Sequence, residues 1–145
     1  TFPETLDKST FGHPSEYAKE TARQKALEVY NRLKDEGKTP DLVIAADTVV
    51  AHGSRILEKP RSVEGAKEML ASLSGSIHKV YTGVVLVAPP SSPADGPRVL
   101  ADVEGTEVHM QVFDQELIDA YVATGEPMDK AGAEPPSYSK SALYL

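Results

Sequence analysis

Cysteine is absent from this 145-residue chain, which excludes disulfides, thiolate catalysis and Cys-based zinc sites together. That absence also fits a cytoplasmic location. Long apolar runs are missing too: stretches such as residues 84–90 fall far short of the ~18–20 residues that span a bilayer. No transmembrane helix is expected, and no membrane partner. The opening residues Thr1-Phe2-Pro3-Glu4 lack the basic and apolar regions of a secretory leader. Basic residues are in deficit, with 15 Lys and Arg against 22 Asp and Glu and a formal charge of −7. Such a balance argues against a nucleic-acid partner, which needs clustered Lys and Arg. It leaves room for a small anion held by a few lysines gathered locally. No G-x-G-x-x-G, P-loop, H-E-x-x-H or G-x-S-x-G signature is present.

What is present suits a single domain with a real core. The chain is 40% hydrophobic, and a chain of this size buries roughly two-thirds of its unfolded surface. Pro14-Ser15-Glu16 opens a helix predicted to run to about Glu36, ended by Gly37. Tyr17, Thr21/Ala22, Ala26, Val29/Tyr30 and Leu33 form its apolar stripe. The run at 42–46 reads as a buried strand with Asp47 and Thr48 at its end. Segments 49–52 and 55–57 flank Gly53-Ser54 as a hairpin. Ser62 caps a helix over 63–73 whose inner face is Ala66, Met69, Leu70 and Leu73. Residues 79–88 and 98–113 read as strands joined by a Pro/Ser-rich loop. The second changes phase near Gly105, as a bulge would make it do. Asp114 caps a short helix over 115–124, and from Glu126 onward no core element is evident. Strands alternating with helices indicate an α/β domain.

Four places combine reactive side chains with the edge of an element. The first is Asp47-Thr48, because ligands in α/β sheets sit beyond strand carboxyl ends; the plain alternative is a solvated strand-end turn. The second is Glu58-Lys59-Pro60, where the proline restrains Lys59 and its ammonium can meet phosphate oxygens as a point charge. An ordinary surface lysine is the alternative there. The third is Ser74-Gly75-Ser76-Ile77-His78-Lys79, in which His78 has no metal partners at useful spacing and is assigned no catalytic role. The fourth, Gly125-Glu126-Pro127-Met128-Asp129-Lys130-Ala131-Gly132, holds an acid and a base side by side, with a surface turn as its alternative. If such carboxylates and lysines converge, they suit metal-assisted attack on a phosphate ester or anhydride.

Five ordered segments carry a more specific signal. They are Ala46-Asp47-Thr48-Val49-Val50, Ile56-Leu57-Glu58-Lys59-Pro60, Met69-Leu70-Ala71-Ser72-Leu73-Ser74-Gly75, His78-Lys79-Val80-Tyr81-Thr82-Gly83-Val84, and the Gly125 to Gly132 segment already named. In order and separation they resemble the Maf family, the septum-formation-inhibitor-like nucleoside triphosphate pyrophosphatases. Residues 4–8 and 21–29 are most similar to the Maf-like domain of an acetylserotonin O-methyltransferase-like branch. The resemblance covers residues 1–133 as a Maf-like domain and leaves 134–145 as a divergent tail.

The resemblance implies an inosine-triphosphatase-like α/β fold, a mixed sheet flanked by helices with two lobes around a cleft, incomplete at both ends. It implies hydrolysis of dTTP, UTP and modified pyrimidine nucleotides to monophosphate and pyrophosphate, with Mg²⁺ or Mn²⁺ as cofactor and homodimers among the family's assemblies. By resemblance Asp47 is the proton acceptor and Thr48 is tied to base selection. Glu4, Lys25 and Lys59 are the remaining acidic and basic site residues, with Asp47 and Glu4 on the metal. Asp47 and Lys59 are then expected to face each other around the triphosphate. Two departures stand out. The family's Ser-x-Ser-Pro-Arg-Arg loop does not appear, and Ala133 leads into Glu134-Pro135-Pro136-Ser137 rather than Tyr-Gly-Ile-Gln. They motivate the alternative of a catalytically inactive nucleotide-binding or scaffold domain.

Overall fold

The first long helix, α1 (Pro14–Asp35), starts where the sequence reading put it. Pro14 stands in the first turn, where a missing N–H removes no hydrogen bond. His13 caps it: its Nδ1 accepts from the Ser15 amide at 3.2 Å and lies 2.7 Å from the Ser15 hydroxyl. Replacing His13 with Ala is expected to lower stability by about 1 kcal/mol, read as a shift in the urea midpoint. His13→Asn, a good capping residue, should recover most of it. At the other end Gly37 takes φ +76. The Gly37 amide donates to Lys34 O and the Lys38 amide to Leu33 O, the paired bonds of a Schellman ending.

The computed structural model describes residues 6–133. Besides α1 these form β1 (Val43–His52), β2 (Arg55–Leu57), α2 (Val63–Leu73), β3 (Ile77–Ala88), β4 (Arg98–His109) and α3 (Gln115–Ala123). The α/β class is as expected. The four strands form one sheet in the order β2-β1-β3-β4. β1 and β2 pair antiparallel in the register Val50↔Leu57, Ala51↔Ile56, His52↔Arg55, around Gly53-Ser54 as predicted. The described chain divides into two compact units.

The first unit holds the chain up to Thr48 together with Tyr81–Glu104. Its core is Ala22, Ala26, Tyr30, Val43, Val85 and Val87, with Leu27, Val29, Ala45 and Val99 packed against it. Ala18, Ala22 and Ala26 are each fully buried and recur every four residues, so they lie in one row along α1. A row of small side chains lets a helix approach a strand closely. At Gly83 of β3 a Cβ would stand 2.7 Å from Ala18 O and from the Lys19 backbone, so helix and strand meet backbone to backbone.

The second unit holds Val49–Val80 and the chain from Gly105 on. One of its clusters is Val50, Leu57, Leu73, Val108 and Met110. Ser62 caps α2 by accepting from the Gly65 amide at 2.9 Å, and Ala66, Leu70 and Leu73 are buried as the pattern predicts. Asp114 caps α3 by accepting from the Leu117 amide at 2.8 Å.

Three expectations need correction. The predicted strand 42–46 does not stop before Asp47: β1 runs on to His52, carried by Thr48-Val49-Val50, whose β-branched side chains favour extended backbone. The predicted strand 98–113 stops at His109. Its remainder is bonded to the turn after α2: Met110 donates to Ser76 O, Gly75 to Gln111 O, and the Phe113 amide to the Ser74 hydroxyl at 2.7 Å. The phase change is borne out, since the half-buried and buried positions of β4 move from Val99 and Val103 to Thr106 and Val108. Residues 126–133, read as coreless, form two short 3-10 turns that bury Pro127, Gly132 and Ala133. Ala133 joins Ala66, Leu70, Ile118 and Val122 in a further cluster of the second unit.

Candidate active site

In the first unit an ion pair links helix to sheet. Asp47 alternates in step with Val43 and Ala45, so it points to the face of β1 on which α1 lies. Lys25 precedes the buried Ala26 by one residue and stands at the margin of the packed face of α1. Its Nζ donates to Asp47 Oδ1 at 2.6 Å, with the two side chains 24% and 11% exposed. Two groups expected to share a site, 22 residues apart in sequence, are thus brought together. Held mostly out of water, their attraction exceeds that of a surface pair. The continuous strand fixes the carboxylate more firmly than a strand-end turn would.

Thr48, the next residue, points to the opposite face of β1 and is exposed. Its Oγ1 lies 2.9 Å from the Thr82 Oγ1 of β3. Thr82 belongs to one of the matched segments, yet nothing in the sequence singled it out; the partnership exists through strand pairing alone. Glu4 lies outside the described residues.

In the second unit the structure joins two of the four places. The Gly132 amide donates to Glu58 O at 3.0 Å, tying the Gly125–Gly132 loop to Glu58-Lys59-Pro60. Gly132 takes φ +64 and its added Cβ would stand 3.1 Å from Val50, so the loop is clamped on β1 as well. Lys59 is exposed beside the buried Pro60. Lys130 Nζ donates to Asp129 Oδ1 at 3.2 Å. That bond, then the charge of Lys130, and to a smaller degree the charge of Lys59, hold the Asp129 carboxyl below its usual 3.8. The Ser74–Lys79 segment holds residues 110–113, and His78 is buried in β3.

The sign of the Asp129 shift gives a pH expectation. A carboxyl whose folded value is depressed contributes stability that is present above its unfolded value and is lost as pH falls through the folded one. An NMR titration should place the Asp129 midpoint below 3.8, and Lys130→Met should move it back up. A midpoint indifferent to Lys130 would contradict the pairing.

Among the described residues no three His, Cys, Asp or Glu side chains gather to hold a metal. Mg²⁺, however, is commonly bound by one or two carboxylates with substrate phosphates supplying further oxygens. A rigid aspartate such as Asp47 is a hard oxygen donor of that kind, so the donor set fits a metal that arrives with a phosphate ligand.

Comparison with known proteins adds to this geometry. A family profile described as "Maf-like protein" matches residues 1–135. A human protein named "Probable bifunctional dTTP/UTP pyrophosphatase/methyltransferase protein" is 49% identical over 133 residues, covering 90% of this chain and 21% of that protein. A dTTP/UTP pyrophosphatase of Clostridium perfringens is 44% identical over 122 residues, covering 84% of this chain and 59% of the enzyme. One of Schizosaccharomyces pombe is 40% identical over 135 residues, covering 90% and 56%. The chain thus spans about a fifth of the human relative and under two-thirds of the other two. With five motifs in register and the profile spanning nearly all of its length, this chain belongs to the Maf-like protein family.

Proposed function

We propose that this chain is a nucleoside triphosphate pyrophosphatase that hydrolyses dTTP, UTP and modified pyrimidine nucleotides, clearing unwanted nucleotides from the cytoplasmic pool. The observation that carries the reading is the Lys25–Asp47 pair, a strand-held carboxylate mostly withdrawn from water with an ammonium at 2.6 Å. The relatives' names, dTTP/UTP pyrophosphatase, support the substrate class.

In this reading the Asp47 carboxylate orients the attacking water and accepts its proton. The water oxygen bonds to the α-phosphorus. The bond from that phosphorus to the oxygen bridging to the β-phosphoryl group breaks, and pyrophosphate leaves with the bonding electrons. Lys25 and Lys59 supply positive charge for the phosphate oxygens, which gain negative charge as the anhydride opens. Thr48 bears on the choice of base. Asp47, with Glu4, would hold a divalent cation, Mg²⁺ or Mn²⁺, which when bound neutralises phosphate charge.

The test is a coupled assay of pyrophosphate release with Mg²⁺ across the common ribo- and deoxyribonucleoside triphosphates. Release from dTTP and UTP well above the purine nucleotides is expected. A flat or purine-favouring profile, or nucleotide-induced thermal stabilisation with no release, would defeat the proposal.

A further inference from the structure

One oxygen of the Asp47 carboxylate already holds a cation. Lys25 Nζ stands 2.6 Å from Oδ1, and the two side chains are only 24% and 11% exposed. A divalent ion on either oxygen of that carboxylate would stand beside the ammonium, and two positive charges so close in a partly dry setting repel strongly. Lys25 does not yield by a drift of its helix. α1 is pressed on β3 at Gly83, where a Cβ would stand 2.7 Å from Ala18 O and the Lys19 backbone, and its Ala22 and Ala26 are fully buried. The ammonium therefore leaves Asp47 by turning about the bonds of its own side chain, which is partly open to water. Such a departure strips a mostly buried carboxylate of a charged partner, so it needs a second anion to receive the ammonium.

We infer that Lys25 is a stand-in cation on Asp47 that makes divalent-metal binding depend on a phosphate ligand. The inference deepens the pyrophosphatase reading and rests on it. In the free chain the ammonium neutralises the carboxylate and keeps a lone Mg²⁺ or Mn²⁺ off it. An arriving polyphosphate draws the ammonium to its own oxygens and supplies the further oxygen ligands that such an ion needs. One lysine thus serves Asp47 first and the phosphates second, and metal and nucleotide bind as one unit.

The experiment measures Mn²⁺ binding without nucleotide, by loss of the free-ion EPR signal. It compares wild type, Lys25→Met, Lys25→Gln, Lys25→Arg, Lys19→Met and the Lys25→Met/Asp47→Asn double variant. Lys25→Met and Lys25→Gln should bind Mn²⁺ about ten- to hundredfold more tightly than wild type, the worth of one hydrogen bond to a charged group. Lys25→Arg, which keeps the cation, should stay near wild type, and Asp47→Asn on the Lys25→Met background should remove the gain. Lys19→Met controls for net charge. It removes another lysine of α1, paired with Glu16 at 3.3 Å on the surface, and should leave the affinity within about twofold. With a non-hydrolysable α,β-methylene analogue of dTTP present, the water-proton relaxation enhancement of protein-held Mn²⁺ should appear in wild type too. Equal affinity in wild type and both neutral variants overturns the inference. So does a gain that survives Asp47→Asn or that Lys19→Met shares, or an analogue that brings no Mn²⁺ to wild type. Each of these leaves the pyrophosphatase reading intact where wild type still cleaves dTTP. A wild-type chain that releases no pyrophosphate from any nucleotide overturns both.

Discussion

Asp47→Asn is expected to slow pyrophosphate release from dTTP about a thousandfold. The amide keeps the size and shape of the carboxylate but accepts no proton, and a positioned general base contributes on the order of 10²–10⁴ in rate. Nearly all of the loss should fall on kcat, because the proton moves in the transition state and the phosphates keep their lysines. Stability should change less: the amide oxygen can still accept from Lys25, whose bond to Asp47 spans 2.6 Å. Losing the charge of a partly exposed pair costs about 1–2 kcal/mol. Turnover by stopped assay and melting by calorimetry separate the two effects. A variant within tenfold of wild type would remove Asp47 from the proton transfer.

Gly83→Ala should be the most damaging single methyl group in the first unit. The new Cβ would stand 2.7 Å from Ala18 O and from the Lys19 N and Cα. These are backbone atoms of α1, so no side chain can swing aside and the helix itself must move. Overpacking of this kind costs about 2–3 kcal/mol, roughly 6–12 °C in Tm for a chain of this length. Activity should fall further than stability alone predicts. α1 also carries Lys25, and a displacement of about 1 Å at a reacting group can cost on the order of 100-fold in rate. Gly96→Ala is the control: its Cβ would meet nothing within 4 Å, and its Tm should stay within about 2 °C of wild type, as for an ordinary surface change. Equal melting of the two variants would contradict the close approach of α1 to β3.

Much of the fold can be read from local chemistry. The ends of α1 follow from His13-Pro14 and Gly37, and the caps of α2 and α3 from Ser62 and Asp114, because capping depends on residues within a few positions. Ala18 escaped the stripe because alanine gives weak hydrophobic contrast; its importance comes from Gly83, 65 residues later. Asp47 looked like a strand end because a charge inside a strand is expensive unless paired, and its partner Lys25 lies on another element. The end of β4 was hidden for a similar reason: residues 110–113 are held by the Ser74–Ser76 turn, a bond pattern no window along the chain contains. Pro and Gly made 126–133 look like plain loop, whereas Gly132 and Ala133 are buried because Gly132 φ +64 turns the chain onto Val50.

The site divides in the same way. Asp47, Lys59 and the Asp129-Lys130 dipeptide were visible as residue types at element edges. Lys25 was named beside Asp47 through the family resemblance alone, and Thr82 at Thr48 and Gly132 at Glu58 were not visible, because all three pairings are set by tertiary contacts.

Which phosphoanhydride is cut is read directly by ³¹P NMR of dTTP incubated with the chain and Mg²⁺. The triphosphate signals should give way to dTMP and pyrophosphate in equal amounts, and Asp47→Asn should abolish both on the same timescale. Appearance of dTDP with inorganic phosphate, or an unchanged dTTP spectrum, would contradict the proposed cleavage.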